Sequence, residues 1–182
     1  MSNSVVKQNQ QIFHDNKVKI CKIPNIAVFE FEYPYVYITF TEPRIEDDIN
    51  LENFFSLWLS ISNEKKPYII VFDGNKVDYA KPKFIFRFAK FMKSLRKQEP
   101  QYLQYSIIII NNSLMRGLMN MVFRLQPPVA PVYMCNSPDE LEELHNKIHS
   151  KSAKTVEIFK KDVSEEEIKK VYFDNNYKDE IV

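Results

Sequence analysis

Short apolar runs alternate with longer stretches of helical periodicity along most of the chain. The clearest run is SIIIINN, residues 106–112, in which four consecutive isoleucines stand between polar residues. Such a run of β-branched residues is typical of an inner parallel strand, which is buried on both faces. A second apolar run, YIIVF at residues 68–72, follows Pro67. We therefore predict a sheet whose inner strands are parallel and are connected by helices.

Three strand-like runs at residues 18–23, 26–31 and 35–41 precede the first helical stretch. The first alternates apolar and polar residues, and the other two are rich in aromatic residues. This pattern predicts an opening strand meander at the edge of the sheet. Helical periodicity, prolines and capping residues predict four helices, over residues 51–61, 82–97, 113–125 and 138–149, the first with Asn50 as its N-cap. The predicted fold class is α/β, with a single mixed, mainly parallel sheet, an opening strand meander and four helices.

The length of 182 residues and the hydrophobic content of 45% fit one domain with extensions. Residues 1–16 are polar and aperiodic, which predicts a mobile N-terminal tail. Residues 17–149 are predicted to form the α/β domain. Residues 150–182 are predicted to form a C-terminal extension that has a short strand at residues 156–159 and a helix headed by the capping box Ser164–Glu167.

Composition narrows the classes of function. The formal net charge is +1, so no global field directs the chain to nucleic acid or to an acidic membrane. Only two glycines occur, which excludes glycine-rich phosphate loops. Cys21 and Cys135 lie in apolar strand contexts and are expected to be buried thiols in a reducing compartment. The N-terminus has no signal-peptide pattern and no apolar run reaches about 20 residues, so a cytoplasmic protein is expected.

The predicted second helix has one apolar face and one basic face. No acidic residue occurs from Lys81 to Lys97. We therefore expect an uncompensated positive field that an acidic protein partner or anionic lipid headgroups could use, although most such faces are only solvated. Nucleic acid ranks below both, because aromatic residues for base stacking are missing from the exposed side, apart from Phe86. The basic side chains are Lys83, Arg87, Lys90, Lys93 and Lys97.

Two clusters have residue types that bind metals. The acidic residues 46–48 precede the first helix. We interpret them as residues that stabilise the positive N-terminal end of this helix, in preference to ligands of a metal ion. His145 and His149 share a helical face, but no third ligand is nearby in sequence, so solvated histidines are the better interpretation. We expect no metal site and no cofactor.

The sequence contains no convincing motif for a catalytic nucleophile or a general base. Ser113 follows a strand and precedes a helix, as a nucleophile can, but small flanking residues are missing and an N-cap role for Ser113 or Asn112 is favoured. Asp73 and Asp78 follow an inner strand, where open α/β sheets place ligands. We favour loop and capping roles for both, so no catalytic residue is assigned and the protein is expected not to be an enzyme.

From about residue 26 to 148, the order of elements and the strand end VFDGNKVD, residues 71–78, resemble the STAS domain, the fold of bacterial anti-sigma-factor antagonists. In regulated members a serine at the helix entrance is phosphorylated. Here Asp78 is followed by Tyr79-Ala80-Lys81-Pro82, without serine or threonine. The resemblance therefore implies a STAS-like interaction module that lacks the phosphoswitch.

A second resemblance is to the CRAL-TRIO lipid-binding domain. It rests on IIIINNSLMRGLMNMVFRLQPP, residues 107–128, where a strand, an asparagine and a helix are followed by prolines. This resemblance implies a lipid or small-ligand carrier, in which the apolar third helix, Leu114 to Phe123, is a movable gate over a cavity.

The main prediction is a non-enzymatic protein–protein interaction and regulatory module that docks through its basic second helix and the preceding loop. The CRAL-TRIO-like carrier is the alternative. The patterns identify neither the partner nor the oligomeric state. The residues predicted to bind the partner are Asp78, Tyr79, Lys81, Lys83, Arg87, Lys90 and Lys97.

Overall fold

A computed structural model describes residues 11–15, 18–46 and 48–155 of the protein. Its main feature is a sheet of seven described strands, arranged in the order β1-β2-β3-β4-β6-β8-β9. The first three pairings are antiparallel and the last three are parallel. The strands are β1 (Gln11–Asp15), β2 (Val18–Ile23), β3 (Ala27–Glu32), β4 (Tyr35–Phe40), β6 (Tyr68–Asp73), β8 (Leu103–Ile109) and β9 (Val132–Cys135).

Four α-helices connect or follow the parallel strands, so the predicted mixed sheet with an opening meander and four helices is confirmed. They are α1 (Asp48–Ser62), α2 (Pro82–Arg96), α3 (Ser113–Leu125) and α4 (Leu141–His149), the last preceded by a 3₁₀ turn at Pro138–Glu140. The short strands β5 (Arg44–Ile45) and β7 (Tyr79–Ala80) form a separate parallel pair, which the sequence patterns did not predict. A strand of two residues has no periodicity to detect.

The predicted strand at residues 106–112 is β8, which lies between β6 and β9. Its isoleucines alternate between the two faces of the sheet. Ile107 and Ile109 pack with Val71 and Cys135 on one face, which α4 covers. Ile108 and Ile110 belong to the main core on the other face. The prediction of a strand buried on both faces is therefore confirmed, because side chains in a strand alternate with a period of two.

Helix α1 lies at the centre of the main core. Trp58 is 1% exposed, and its ring centroid lies 5.1 Å from that of Phe72 on β6. Phe55 stacks on Phe91 of α2 with a centroid distance of 4.4 Å and an interplanar angle of 15°. These aromatic contacts fix α1 and α2 on the same face of the sheet. Burial of such large side chains supplies most of the stabilisation on this face.

Most predicted element ends are shifted by one to three residues, and two further features differ from the predictions. The strand Gln11–Asp15 lies within the segment 1–16 that was expected to be a tail. It pairs with β2 through backbone hydrogen bonds, and such pairing at a sheet edge does not require an apolar pattern in the added strand. Asn50 is not the N-cap of α1, because the helix begins at Asp48. Asn50 is buried, and its side-chain oxygen accepts a hydrogen bond from Asn53 Nδ2 at 3.3 Å.

Both cysteines are buried free thiols, as expected, and burial raises the pKa of each. None of the described helices is both long and apolar enough for a membrane crossing. The predicted strand at residues 156–159 and the helix after Ser164 lie outside the described residues.

Candidate functional site

The main core contains a cavity of about 110 Å³ between the sheet and helices α1, α2 and α3. It lies at the carboxyl ends of β4, β6 and β8, which is where open α/β sheets bind their ligands. The residues lining it are Phe40, Ile45, Leu51, Phe54, Phe72, Gly74, Val77, Ala80, Phe84, Ile85, Phe88, Ile108, Ile110, Met115, Leu118, Met119 and Val122.

Each lining side chain is apolar, and the helical ones follow from simple spacing. Helix α2 contributes residues 84, 85 and 88, and α3 contributes residues 115, 118, 119 and 122, which lie on one face of each helix. The same stripes are the ones that the hydrophobic pattern predicts. Periodicity identified the buried faces, but it did not show that a space remains between them. Met115 and Met119 have flexible, polarisable side chains that adapt to ligands of different shape.

The size of the cavity limits what it holds in this conformation. Pockets for drug-sized ligands measure about 300–1,000 Å³, whereas an apolar cavity of about 150 Å³ accepts a molecule the size of benzene. The space of about 110 Å³ therefore fits a short apolar segment. A long hydrocarbon chain needs more volume than this cavity has in the described conformation.

The loop between β6 and β7 closes one side of the cavity. Asp73 Oδ1 accepts a hydrogen bond from the backbone N–H of Asn75 at 3.1 Å. Asn75 Oδ1 in turn accepts one from the backbone N–H of Asn111 at 2.8 Å, which joins this loop to the end of β8. The loop role predicted for Asp73 is confirmed. Gly74 lies so close to β8 that a Cβ there would be 3.1 Å from Ile110 Cγ1.

The predicted partner-binding residues of this loop contact the neighbouring chain segment. The backbone N–H groups of Asp78 and Tyr79 donate to the carbonyl oxygen of Pro43 at 2.8 and 3.1 Å. The Arg44 guanidinium lies 5.1 Å from the centroid of the Tyr79 ring. Their roles as partner contacts stay predictions. The contacts observed in the structure connect this loop to the segment that carries β5.

The basic face of α2 divides into two parts. Lys83 Nζ and Arg87 Nη1 each lie 2.5 Å from a carboxylate oxygen of Asp48, and Arg87 also pairs with Glu52. The hydrogen bond from Lys83 is the main cause that lowers the pKa of Asp48. The expectation of an uncompensated face was wrong here, because the counter-charges come from α1 and are distant in sequence.

The basic side chains in the second half of α2 differ from Lys83 and Arg87 in their surroundings. Lys90, Lys93 and Lys97 are exposed, and no described carboxylate forms an ion pair with any of them. Arg96 donates to the backbone carbonyl oxygen of Pro127 at 2.5 Å, which places the end of α2 beside the end of α3. The second half of α2 therefore keeps the positive field that the sequence predicts. Lys81 precedes the helix and is half-buried.

Helix α3 is attached to the sheet at its start. Asn112 Oδ1 accepts a hydrogen bond from the backbone N–H of Met115 at 3.4 Å, so Asn112 provides the predicted N-cap. Arg116 was not among the predicted residues. Its guanidinium donates to the carbonyl oxygen of Ile110 at 2.8 Å and to Asn136 Oδ1 at 2.7 Å. An arginine in the first turn of a helix with many apolar residues was the available signal for this anchoring role.

The two histidines of α4 differ. His149 is exposed, whereas His145 is half-buried, and its ring centroid lies 5.3 Å from that of Tyr35. The expectation that both are solvated was wrong for His145, because this part of α4 packs against Tyr35 of β4. Burial, and secondly the charge of His149, lower the pKa of His145. Within the described residues, no group of three or more metal-ligating side chains occurs.

A second hollow, of about 180 Å³, lies at the opposite end of the sheet, near the start of β4. It is larger than the cavity under α2 and α3, but its rim contains Lys19, Glu64 and Lys66. The ammonium groups of Lys19 and Lys66 already lie over the rings of Phe31 and Tyr33, at 5.3 and 5.8 Å from their centroids. We therefore take the apolar cavity as the candidate site.

The fold and the cavity together define an α/β domain with an apolar chamber between its sheet and its helices. The family model described as the divergent CRAL/TRIO domain matches residues 33–162, which is 130 of the 182 residues, and the chain belongs to this family. The CRAL-TRIO resemblance of the sequence is thereby confirmed, whereas the STAS resemblance gains no support. Neither a curated protein nor a solved structure matches the chain.

Proposed function

We propose that this protein is a non-enzymatic carrier or sensor of an apolar ligand, whose hydrocarbon part occupies the cavity under α1, α2 and α3. The observation that carries the proposal is the wholly apolar lining of a cavity at the carboxyl ends of the parallel strands. Membership of the divergent CRAL/TRIO family supports it, because CRAL-TRIO domains bind lipophilic ligands. A lipid or a similar hydrophobic molecule is the class of ligand that fits both observations.

The lining determines which part of the ligand enters. A charged or strongly polar group would lose its hydration in this cavity and find no hydrogen-bond partner among the lining side chains. The favourable term is the transfer of hydrocarbon out of water, about 25 cal/mol for each Å² buried. Recognition inside the cavity therefore depends on shape and apolar area, and any polar headgroup stays at the surface.

The same lining supports a function without catalysis. Proton transfer and nucleophilic attack need titratable or nucleophilic groups that touch the ligand. The described lining residues contain none of these groups. Binding and release are consequently the activities that the site can perform with its own side chains.

A ligand larger than this cavity needs additional space, and we propose α3 as the element that moves to provide it. Arg116 holds the start of this helix to β8 and to the residue after β9. Gly117 follows directly, and the lining residues Leu118, Met119 and Val122 lie beyond it. Glycine inside a helix weakens it by about 0.5–1 kcal/mol relative to alanine. The part of α3 over the cavity can therefore bend outward while its start stays attached.

The test uses the purified protein, native mass spectrometry and a fluorescent fatty-acid analogue as the probe. Val122→Phe is expected to fill the cavity and to reduce probe affinity by at least about tenfold, since overpacking a cavity of this size excludes other atoms. Leu118→Met is the matched control, because it changes a lining residue at nearly constant volume and should keep the affinity. Thermal melting of both variants verifies that they are folded.

Either of two results would contradict the proposal. If the wild-type protein contains no co-purifying lipid and binds no apolar probe, or if Val122→Phe binds the probe as well as Leu118→Met does, the proposal fails. A probe that binds equally to both folded variants would occupy another surface.

A further inference from the structure

The charges of this nearly neutral chain are segregated. Residues 79–138 contain nine lysines and arginines but one acidic residue, Glu99, which gives this segment a net charge of +8. The other 122 residues hold the remaining 16 basic and 23 acidic side chains, which gives −7. The overall value of +1 therefore conceals one strongly basic segment and an acidic remainder of the sequence. A segregated charge of this size orients a protein near a charged surface even when its net charge is close to zero.

The positive segment includes two of the three helices that cover the cavity, α2 and α3. Part of its charge is compensated, since Asp48 and Glu52 of α1 pair with Lys83 and Arg87. The exposed remainder consists of Lys90, Lys93 and Lys97 on α2 and Arg124 on α3.

Three of these four cations lie on the carboxyl-terminal half of α2, and the fourth lies in the last turn of α3. Helices α2 and α3 pack against each other, and the hydrogen bond from Arg96 to the carbonyl oxygen of Pro127 brings their carboxyl-terminal ends together. Arg124 is three residues before Pro127 on the same helix end. No described carboxylate forms an ion pair with any of the four. We name this surface, formed by Lys90, Lys93, Lys97 and Arg124, the α2–α3 cationic surface.

We propose that the α2–α3 cationic surface docks the protein on an anionic lipid bilayer, with α2 and α3 facing the membrane. Cationic side chains close to a negatively charged leaflet are attracted by its surface potential, and the attraction falls off within a Debye length. A bilayer also satisfies several cations at once without needing a fixed arrangement of anions.

The choice of a bilayer over a protein rests on the proposed function. An apolar ligand is poorly soluble in water and resides in membranes, so a carrier gains it most directly where the moving helix touches the lipid. Nucleic acid fits less well, since the aromatic residue on this side of α2, Phe86, is half-buried and not available as a stacking platform. The charge segregation itself does not depend on the proposed function.

The experiment is co-sedimentation of the full chain with vesicles of phosphatidylcholine alone or of phosphatidylcholine mixed with phosphatidylserine. The wild type is expected to bind the mixed vesicles and not the neutral ones, and to be released by added salt. The triple variant Lys90→Glu, Lys93→Glu and Lys97→Glu should lose roughly 100-fold or more in apparent vesicle affinity.

A matched variant separates position from net charge. Lys65, Lys151 and Lys154 are exposed and lie outside α2 and α3, so their joint change to Glu alters the net charge by the same amount. This control should retain most of the vesicle binding. Thermal melting and binding of the fluorescent fatty-acid analogue in solution are measured for both triple variants and should stay close to wild type.

Three results would overturn the inference. One is the absence of wild-type binding to the mixed vesicles; another is an equal loss in the two triple variants, which would show an effect of net charge alone. The third is capture of an acidic protein through Lys90, Lys93 and Lys97 in the absence of vesicle binding, which would assign the surface to a protein partner. Vesicle binding by a protein that binds no apolar probe would leave this inference standing and would refute the proposed function.

Discussion

The two faces of the sheet are built from alternate residues of the same strands, yet they differ in packing. Beneath α1, α2 and α3 the face is broad, rich in aromatic rings, and contains a cavity of about 110 Å³. Beneath α4 the layer is thinner, and tyrosines surround a small cluster that includes Val71, Ile107 and Ile109. The difference shows that one strand can contribute to a closely packed layer on one side and to the wall of a cavity on the other.

The adjacent residues Ile107 and Ile108 allow the sharpest comparison of the two faces. Ile107 is 0% exposed in the layer under α4, whereas Ile108 lines the cavity. Ile107→Ala is expected to lower the free energy of unfolding by about 3–5 kcal/mol, and Ile108→Ala by about 2–3 kcal/mol, because a residue beside an existing cavity has fewer contacts to lose. Urea unfolding measures both values.

Probe binding completes this comparison. Ile108→Ala enlarges the cavity and should change the affinity for the fluorescent fatty-acid analogue, whereas Ile107→Ala should leave it unchanged. Equal destabilisation together with unchanged affinity in both variants would contradict the assignment of different roles to the two faces.

A smaller effect is expected at Gly117 on the cavity side. A Cβ added there meets no atom within 4 Å, and the residue has no positive φ, so alanine fits without strain. Gly117→Ala should raise the free energy of unfolding by about 0.5–1 kcal/mol. If α3 bends at this point, the same change should slow the exchange of the fatty-acid analogue, measured by stopped-flow fluorescence.

Asn120→Ala provides the control for Gly117→Ala, because Asn120 is exposed on the same helix and alanine also raises helix propensity there. Equal slowing of exchange in both variants would show that general helix stability, and not a bend at Gly117, limits uptake.

The smallest effect concerns pH on the side of α4. Burial holds the pKa of His145 below its usual value of 6.5, so the unfolded chain binds this proton more tightly than the folded one. Its contribution to stability is present above pH 6.5 and is lost as the pH falls below that value. His145→Gln should make urea unfolding less sensitive to pH between about 7.5 and about 5.5.

His149→Gln is the matched control, since His149 lies one turn later and is exposed. Its removal should leave most of the pH dependence in place. A larger flattening in His149→Gln than in His145→Gln would refute the role given to the buried ring.

The sequence pattern predicted those structural features that depend on residues close to one another in the chain. The four isoleucines specified an inner strand, since an apolar run on both faces needs cover on both faces. The apolar stripes of α2 and α3 specified which sides are buried, and the charge run specified a basic outer surface on α2. The resemblance of residues 107–128 to the CRAL-TRIO domain also came from local sequence.

Tertiary structure decided what depends on residues that are distant in sequence. The pairing of Lys83 and Arg87 with Asp48 and Glu52 joins positions more than 30 residues apart, and the charge of α2 alone could not show it. The cavity exists because the stripes of α2 and α3 meet the sheet without filling the space between them, and periodicity gives the direction of a side chain but not the volume left over. The sequence thus determined the layers, and only their packing decided that an apolar cavity lies between them.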